Sequence, residues 1–101
     1  MVLIQLLLPV TAETTRDRVS DTQRELADEF SGVTAYLRSP AKGLWTNPEG
    51  ETERDDVVMV EVVTASFDRS WWRAYAATLR ERFHQDSIHL RAMPVEMLED
   101  S

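Results

Sequence analysis

The stretch Asp55–Trp72, DDVVMVEVVTASFDRSWW, constrains the fold more than any other part of the chain. Val57, Val58, Val60, Val62 and Val63 are β-branched, and their stiff side chains suit a pleated, buried strand. The run breaks at Thr64 to Asp68 and resumes as a helix that opens on Trp71 and Trp72. Asp68 fits an N-cap, its carboxylate accepting an amide hydrogen of the first turn, and Phe67 before it is in register to pack on Trp72 as a hydrophobic staple. Trp72, Tyr75, Ala76, Leu79 and Phe83 then recur at helical spacing. A central strand feeding a packed helix is therefore expected, the helix ending near His84 to Asp86.

The other elements are placed around this unit. Val2 to Leu8 is an apolar run of strand length with one polar member, Gln5, and Pro9 is expected to end it. Thr14 and Asp17 have the spacing of a capping box, after which Val19, Leu26 and Phe30, with Thr22 and Gln23 between them, form the thin apolar stripe of a first helix. Gly32 is expected to stop that helix by entering the left-handed conformation. From Val33 to Arg38 apolar and polar residues alternate as a second strand, followed by Pro40, which suits an edge or a bulge. Asn47-Pro48-Glu49-Gly50 predicts a reverse turn between the arms of a long hairpin. The acidic cluster Glu49, Glu51, Glu53, Asp55 and Asp56, in the turn and beyond it, reads as a solvated hairpin arm. Folding the hairpin about that turn, with no bulge at Pro40, sets Tyr36 opposite Glu61 and Leu37 opposite Val60. Ser87 to Val95 alternates again as a last strand, and residues 95–101 are expected to form a frayed tail.

The order strand, helix, strand, strand, helix, strand over residues 1–101 predicts a single α+β domain. Its expected form is the ferredoxin-like split βαβ fold (βαββαβ), a four-stranded antiparallel sheet in the order 4-1-3-2 with both helices on one face. The third strand, the richest in valine, is then central.

Phe30-x-Gly32-x-Thr34, Gly43-x-Trp45, Gly50, Tyr75, Phe83-x-Gln85-x-Ser87 and Arg91 resemble a pattern of small bacterial proteins of unknown function that are predicted to be ferredoxin-like. The resemblance runs from about Phe30 to Arg91 and implies the same fold. It implies no activity and no catalytic residue.

Function is narrowed mainly by exclusion. The sequence holds no catalytic or cofactor-binding signature, and its three glycines leave no room for a Gly-rich phosphate loop. No cysteine is present, so disulfides, thiolate chemistry and iron–sulfur clusters are impossible. The net charge of −7 opposes phosphate backbones and anionic lipid, so neither nucleic acid nor membrane is an expected partner. His84 and His89 lack the companions a metal site needs, and no cofactor is expected. The first ten residues have no basic leader and no small-residue cleavage pattern, which suggests a cytoplasmic protein.

What remains is the sheet face turned away from the helices. Parity places Leu3, Leu7, Val57, Met59, Val63 and Met93 there, too apolar a set to be left in water, and a homodimer closing into a dimeric α+β barrel is expected to cover them. Gln5, Tyr36, Arg38, Glu61, His89 and Arg91 are polar groups on that face. They pair with one another across strands and subunits, as buried polar groups must, or they line a pocket between paired sheets. The first reading makes the protein an interaction and assembly module. The second makes it a binding protein or cofactor-independent enzyme for a small polar or anionic ligand, with Glu61 and His89 about 10 Å apart on strands two apart.

Overall fold

The computed structural model describes residues 1–10, 16–30, 32–36, 42–46 and 52–98. The elements follow the order β1 (Val2–Val10), α1 (Arg16–Glu29), β2 (Val33–Tyr36), β3 (Lys42–Thr46), β4 (Thr52–Thr64), α2 (Arg69–Arg82) and β5 (His89–Pro94). All strand pairs are antiparallel, in the spatial order β2-β4-β1-β5, with β3 pairing the outer part of β4. The valine-rich strand is internal, as its composition demands. Among the described residues the sheet has five strands rather than the expected four, because the first arm of the hairpin forms a strand of its own.

One core explains both the β1 pattern and the helix stripes. Ile4, Leu6 and Leu8 of β1 and Val58, Val60 and Val62 of β4 point to one side and are 0–6% exposed. Val19 and Leu26 of α1 and Trp72, Tyr75, Leu79 and Phe83, on α2 and at its end, close over them in a single cluster. Both helices therefore lie on the same face of the sheet. At about 1.5–3 kcal/mol for each large side chain removed from water, this layer is the main source of stability. Asp68 caps α2 as expected, its carboxylate accepting from the Trp71 amide at 3.1 Å. Phe67 packs against the same core.

Four local expectations are corrected. β1 does not stop at Pro9 but runs on to Val10, with Pro9 registered opposite Val57. The β1–β5 ladder has ended at Leu7, so the proline sits where β1 has a neighbour on one side only, a position that tolerates the missing donor. Gly32 is not left-handed. Instead His84 is, at φ 53°, directly after α2. There the His84 amide donates to the Glu81 carbonyl and the Gln85 amide to the Arg80 carbonyl, the paired bonds of a Schellman ending, with histidine where glycine is usual. The third correction concerns β5, which starts at His89, two residues later than the alternation suggested.

The fourth correction is one of register. Tyr36 is opposite Met59 and Ala35 opposite Val60, a shift of two residues from the expected pairing. Five residues separate Tyr36 from Lys42, whereas two separate Asp56 from Met59, so the first arm carries three extra residues between its two ladders. An even shift preserves parity, and the faces come out as expected. The Asn47–Gly50 turn, the Thr14 cap and Pro40 lie outside the described residues.

Candidate functional site on the open sheet face

The open face is built in rungs. Thr34, Glu61, Gln5 and Arg91 are registered side by side across β2, β4, β1 and β5, and Tyr36, Met59, Leu7 and His89 form the next rung. In the first rung the Gln5 Nε2 group donates to Glu61 Oε2 at 2.7 Å, and Arg91 Nε donates to Gln5 Oε1 at 2.7 Å. The same Gln5 nitrogen lies 3.7 Å from Met59 Sδ. Arg91 and Glu61 are two strands apart, about 10 Å between backbones, and make no direct ion pair. An amide has an acceptor at one end and donors at the other, so Gln5 bridges cation to anion through two charge-assisted bonds.

Of the six polar residues expected on this face, the structure thus joins three, Gln5, Glu61 and Arg91. His89 is exposed at the sheet edge, one rung away, opposite Leu7, and its imidazole makes no hydrogen bond among the described residues. Tyr36 is placed by its backbone opposite Met59. Arg38 lies outside the described residues. Around the rung, Leu3, Leu7, Met59, Val63 and Met93 are half-buried, against the almost complete burial of their neighbours on the helix side.

Phe30, Trp71, Trp72 and Tyr75 gather on the other face. Trp72 stacks on Phe30 with centroids 5.4 Å apart and planes 9° from parallel. Trp71, off the apolar stripe of α2, is held edge-on to Phe30 at 5.1 Å and stacked on Tyr75 at 5.0 Å. It completes a cluster rather than standing free.

A second polar network lies between the helices, where sequence reasoning had nothing to say. The Arg82 guanidinium donates to Thr22 Oγ1 at 2.9 Å and to the Glu25 carboxylate. The Tyr75 hydroxyl donates to the other Glu25 oxygen at 3.1 Å. Arg18 Nη1 donates to the Arg82 carbonyl at 2.6 Å and meets His84 Nε2 at 2.9 Å. Burial first, and then the Glu25 charge and hydrogen bond, push the Tyr75 phenol well above its ordinary range. The bond to Glu25 is the leading cause holding Arg82 protonated. These contacts join residues fifty or more positions apart, and no local pattern announces them. They also separate the two histidines, one beside Arg18 and one on the open face. Among the described residues no group of three His, Asp or Glu side chains converges as a cation site.

No family model matches the sequence, and no curated protein does. The fold does have solved counterparts. A mutant of CutA1 from Pyrococcus horikoshii aligns with a TM-score of 0.65 over 99% of this chain and 88% of that one, at 14% identity. CutA of the same organism, crystallised in the presence of guanidine hydrochloride, aligns with a TM-score of 0.64 over 98% and 88%, again at 14% identity. At that identity the likeness establishes a shared α+β, ferredoxin-like fold. Function is carried by sites, not by folds.

Proposed function

We propose that this protein is a small cytoplasmic self-associating module whose copies meet through the open face of the sheet. The observation that carries this reading is the Arg91–Gln5–Glu61 rung. Gln5 spends both ends of its amide inside the sheet, so the polar groups at the centre of the face satisfy one another and can be covered by a partner without leaving Gln5 unpaired. The half-buried Leu3, Leu7, Met59, Val63 and Met93 around it supply apolar area for a contact.

The rung is also self-complementary. Its β5 end is cationic and its β4 end anionic, so a two-fold axis along β1 would set Arg91 of one copy over Glu61 of the partner subunit. A homodimer closing into an α+β barrel is the assembly this favours. The alternative of a small polar or anionic ligand held between paired sheets by Glu61 and His89 has less support, because Glu61 and Arg91 are already engaged through Gln5.

Light scattering at tens of micromolar, on the parent and on Met59→Lys, tests the proposal. The parent should be dimeric, and Met59→Lys, which introduces an unpaired charge into the covered face, should be monomeric and still folded. A monomeric parent, or a Met59→Lys protein of unchanged mass, would overturn it. A larger assembly dissolved by Met59→Lys would keep the face and discard the two-fold pairing.

A further inference from the structure

On the opposite side of the molecule a groove of about 200 Å³ opens between the start of α2 and β5, lined by Phe67, Arg69, Trp72, Arg73, Ala76 and Leu90. Its floor is aromatic and aliphatic, and its two cations stand one helical turn apart. In a chain of net charge −7 these arginines are conspicuous. Among the described residues neither guanidinium makes a hydrogen bond or a salt bridge, and that of Arg69 lies over the Phe67 ring at 5.5 Å. The space is smaller than the roughly 300–1,000 Å³ of pockets that bury a metabolite, and it suits one or two large apolar side chains. Its chemistry therefore asks for a peptide with an apolar anchor flanked by acids.

The chain itself carries such a segment, Glu96-Met97-Leu98-Glu99-Asp100. Met97 is 56% and Leu98 91% exposed, the two most exposed large apolar side chains among the described residues. We propose that the Met97–Leu98 segment of a second copy of this chain docks in the groove, with its acidic neighbours against Arg69 and Arg73. The chain's own segment is badly placed to do so. The Val95 amide donates to the Met1 carbonyl at 3.0 Å, which prolongs the β1–β5 ladder and carries the tail onward, away from Leu90. Return to the groove would need a reversal at Glu96 and Met97, with neither glycine nor proline to make it. A segment arriving from another copy meets no such obstacle. Among the described residues β5 pairs only with β1, so its outer edge, beside the groove, offers backbone groups to an extended peptide. This contact joins two different surfaces and is independent of the open face; a short peptide in a shallow groove binds weakly, so it forms at concentrations well above tens of micromolar, where it closes into rings or propagates.

The absence of cysteine makes the test direct. Ser101→Cys provides a unique site for a nitroxide, and spin-labelled chains are mixed with isotope-labelled chains that carry no nitroxide. The Trp72 indole and Arg73 amide signals of the isotope-labelled chains should lose most of their intensity. Leu98→Glu in the spin-labelled chains, or Arg69→Glu with Arg73→Glu in the isotope-labelled ones, should restore it. The proposal is overturned if these signals keep their intensity in the mixture. It is equally overturned if the loss occurs only when both labels share a chain, or survives both sets of substitutions.

Discussion

Leu6 and Leu7 are neighbours on one strand and live in different environments. Leu6 is fully buried under the helices, while Leu7, one residue on, is half-buried on the open face. The same contrast holds on β4, where Val60 is sealed and Met59 is not. On the helix side the sheet meets side chains that interdigitate, and burial is complete within a single chain. On the open side it offers apolar area arranged around a satisfied polar bridge. One face is finished by its own chain, and the other, on the reading proposed above, is finished by association.

Four substitutions break or sharpen that contrast. The largest effect is expected at Trp72, which is 2% exposed and stacked on Phe30. Trp72→Ala should lower stability by about 3–5 kcal/mol in chemical denaturation. A loss below about 1 kcal/mol would mean that the helix layer is not the principal core. Next comes the pair Leu6→Ala and Leu7→Ala, measured at a dilution where the chain is monomeric. Leu6→Ala should cost about 2–5 kcal/mol by leaving a cavity, and Leu7→Ala less than about 1.5 kcal/mol. Equal costs would erase the distinction between the faces. The smallest change is expected for Gln5→Leu, which keeps the volume and removes the bridge. Its loss in the monomer should be about 1 kcal/mol, while the assembly, now covering an unbridged Arg91 and Glu61, should weaken measurably by sedimentation. An assembly of unchanged strength would show that the rung is not at its centre.

Much of this architecture is legible in the residues, and for identifiable reasons. The valine run of β4, the Asp68 cap and the stripe from Trp72 to Phe83 are local signals, each enforced by a short-range rule. The alternation of Leu3, Gln5 and Leu7 with Ile4, Leu6 and Leu8 sorted the two faces of β1 correctly. What escaped is long-range or depends on a neighbour's length. Pro9 looks like a strand terminator until the early end of the β5 ladder is known. Gly32 looks like a helix stop, yet α1 ends at Glu29, Gly32 is not left-handed, and the left-handed turn among the described residues belongs to His84. The Arg82–Glu25–Tyr75 network needs both helices in place before it exists. At the candidate site, the union of Gln5, Glu61 and Arg91 follows from register, since each is opposite the next. The separate position of His89 follows from the same register, one rung along.

The three extra residues between the β2 and β3 ladders have a consequence for how such a chain can change over generations. Because β2 and β3 are each aligned on β4 by their own pairings, the length of the connection between them does not set either alignment. A residue gained or lost between Tyr36 and Lys42 would be absorbed there, whereas the same event inside β1 or β4 would turn every following side chain to the wrong face. Among relatives of this protein, differences in length should therefore accumulate at that connection and be purged from the two long central strands.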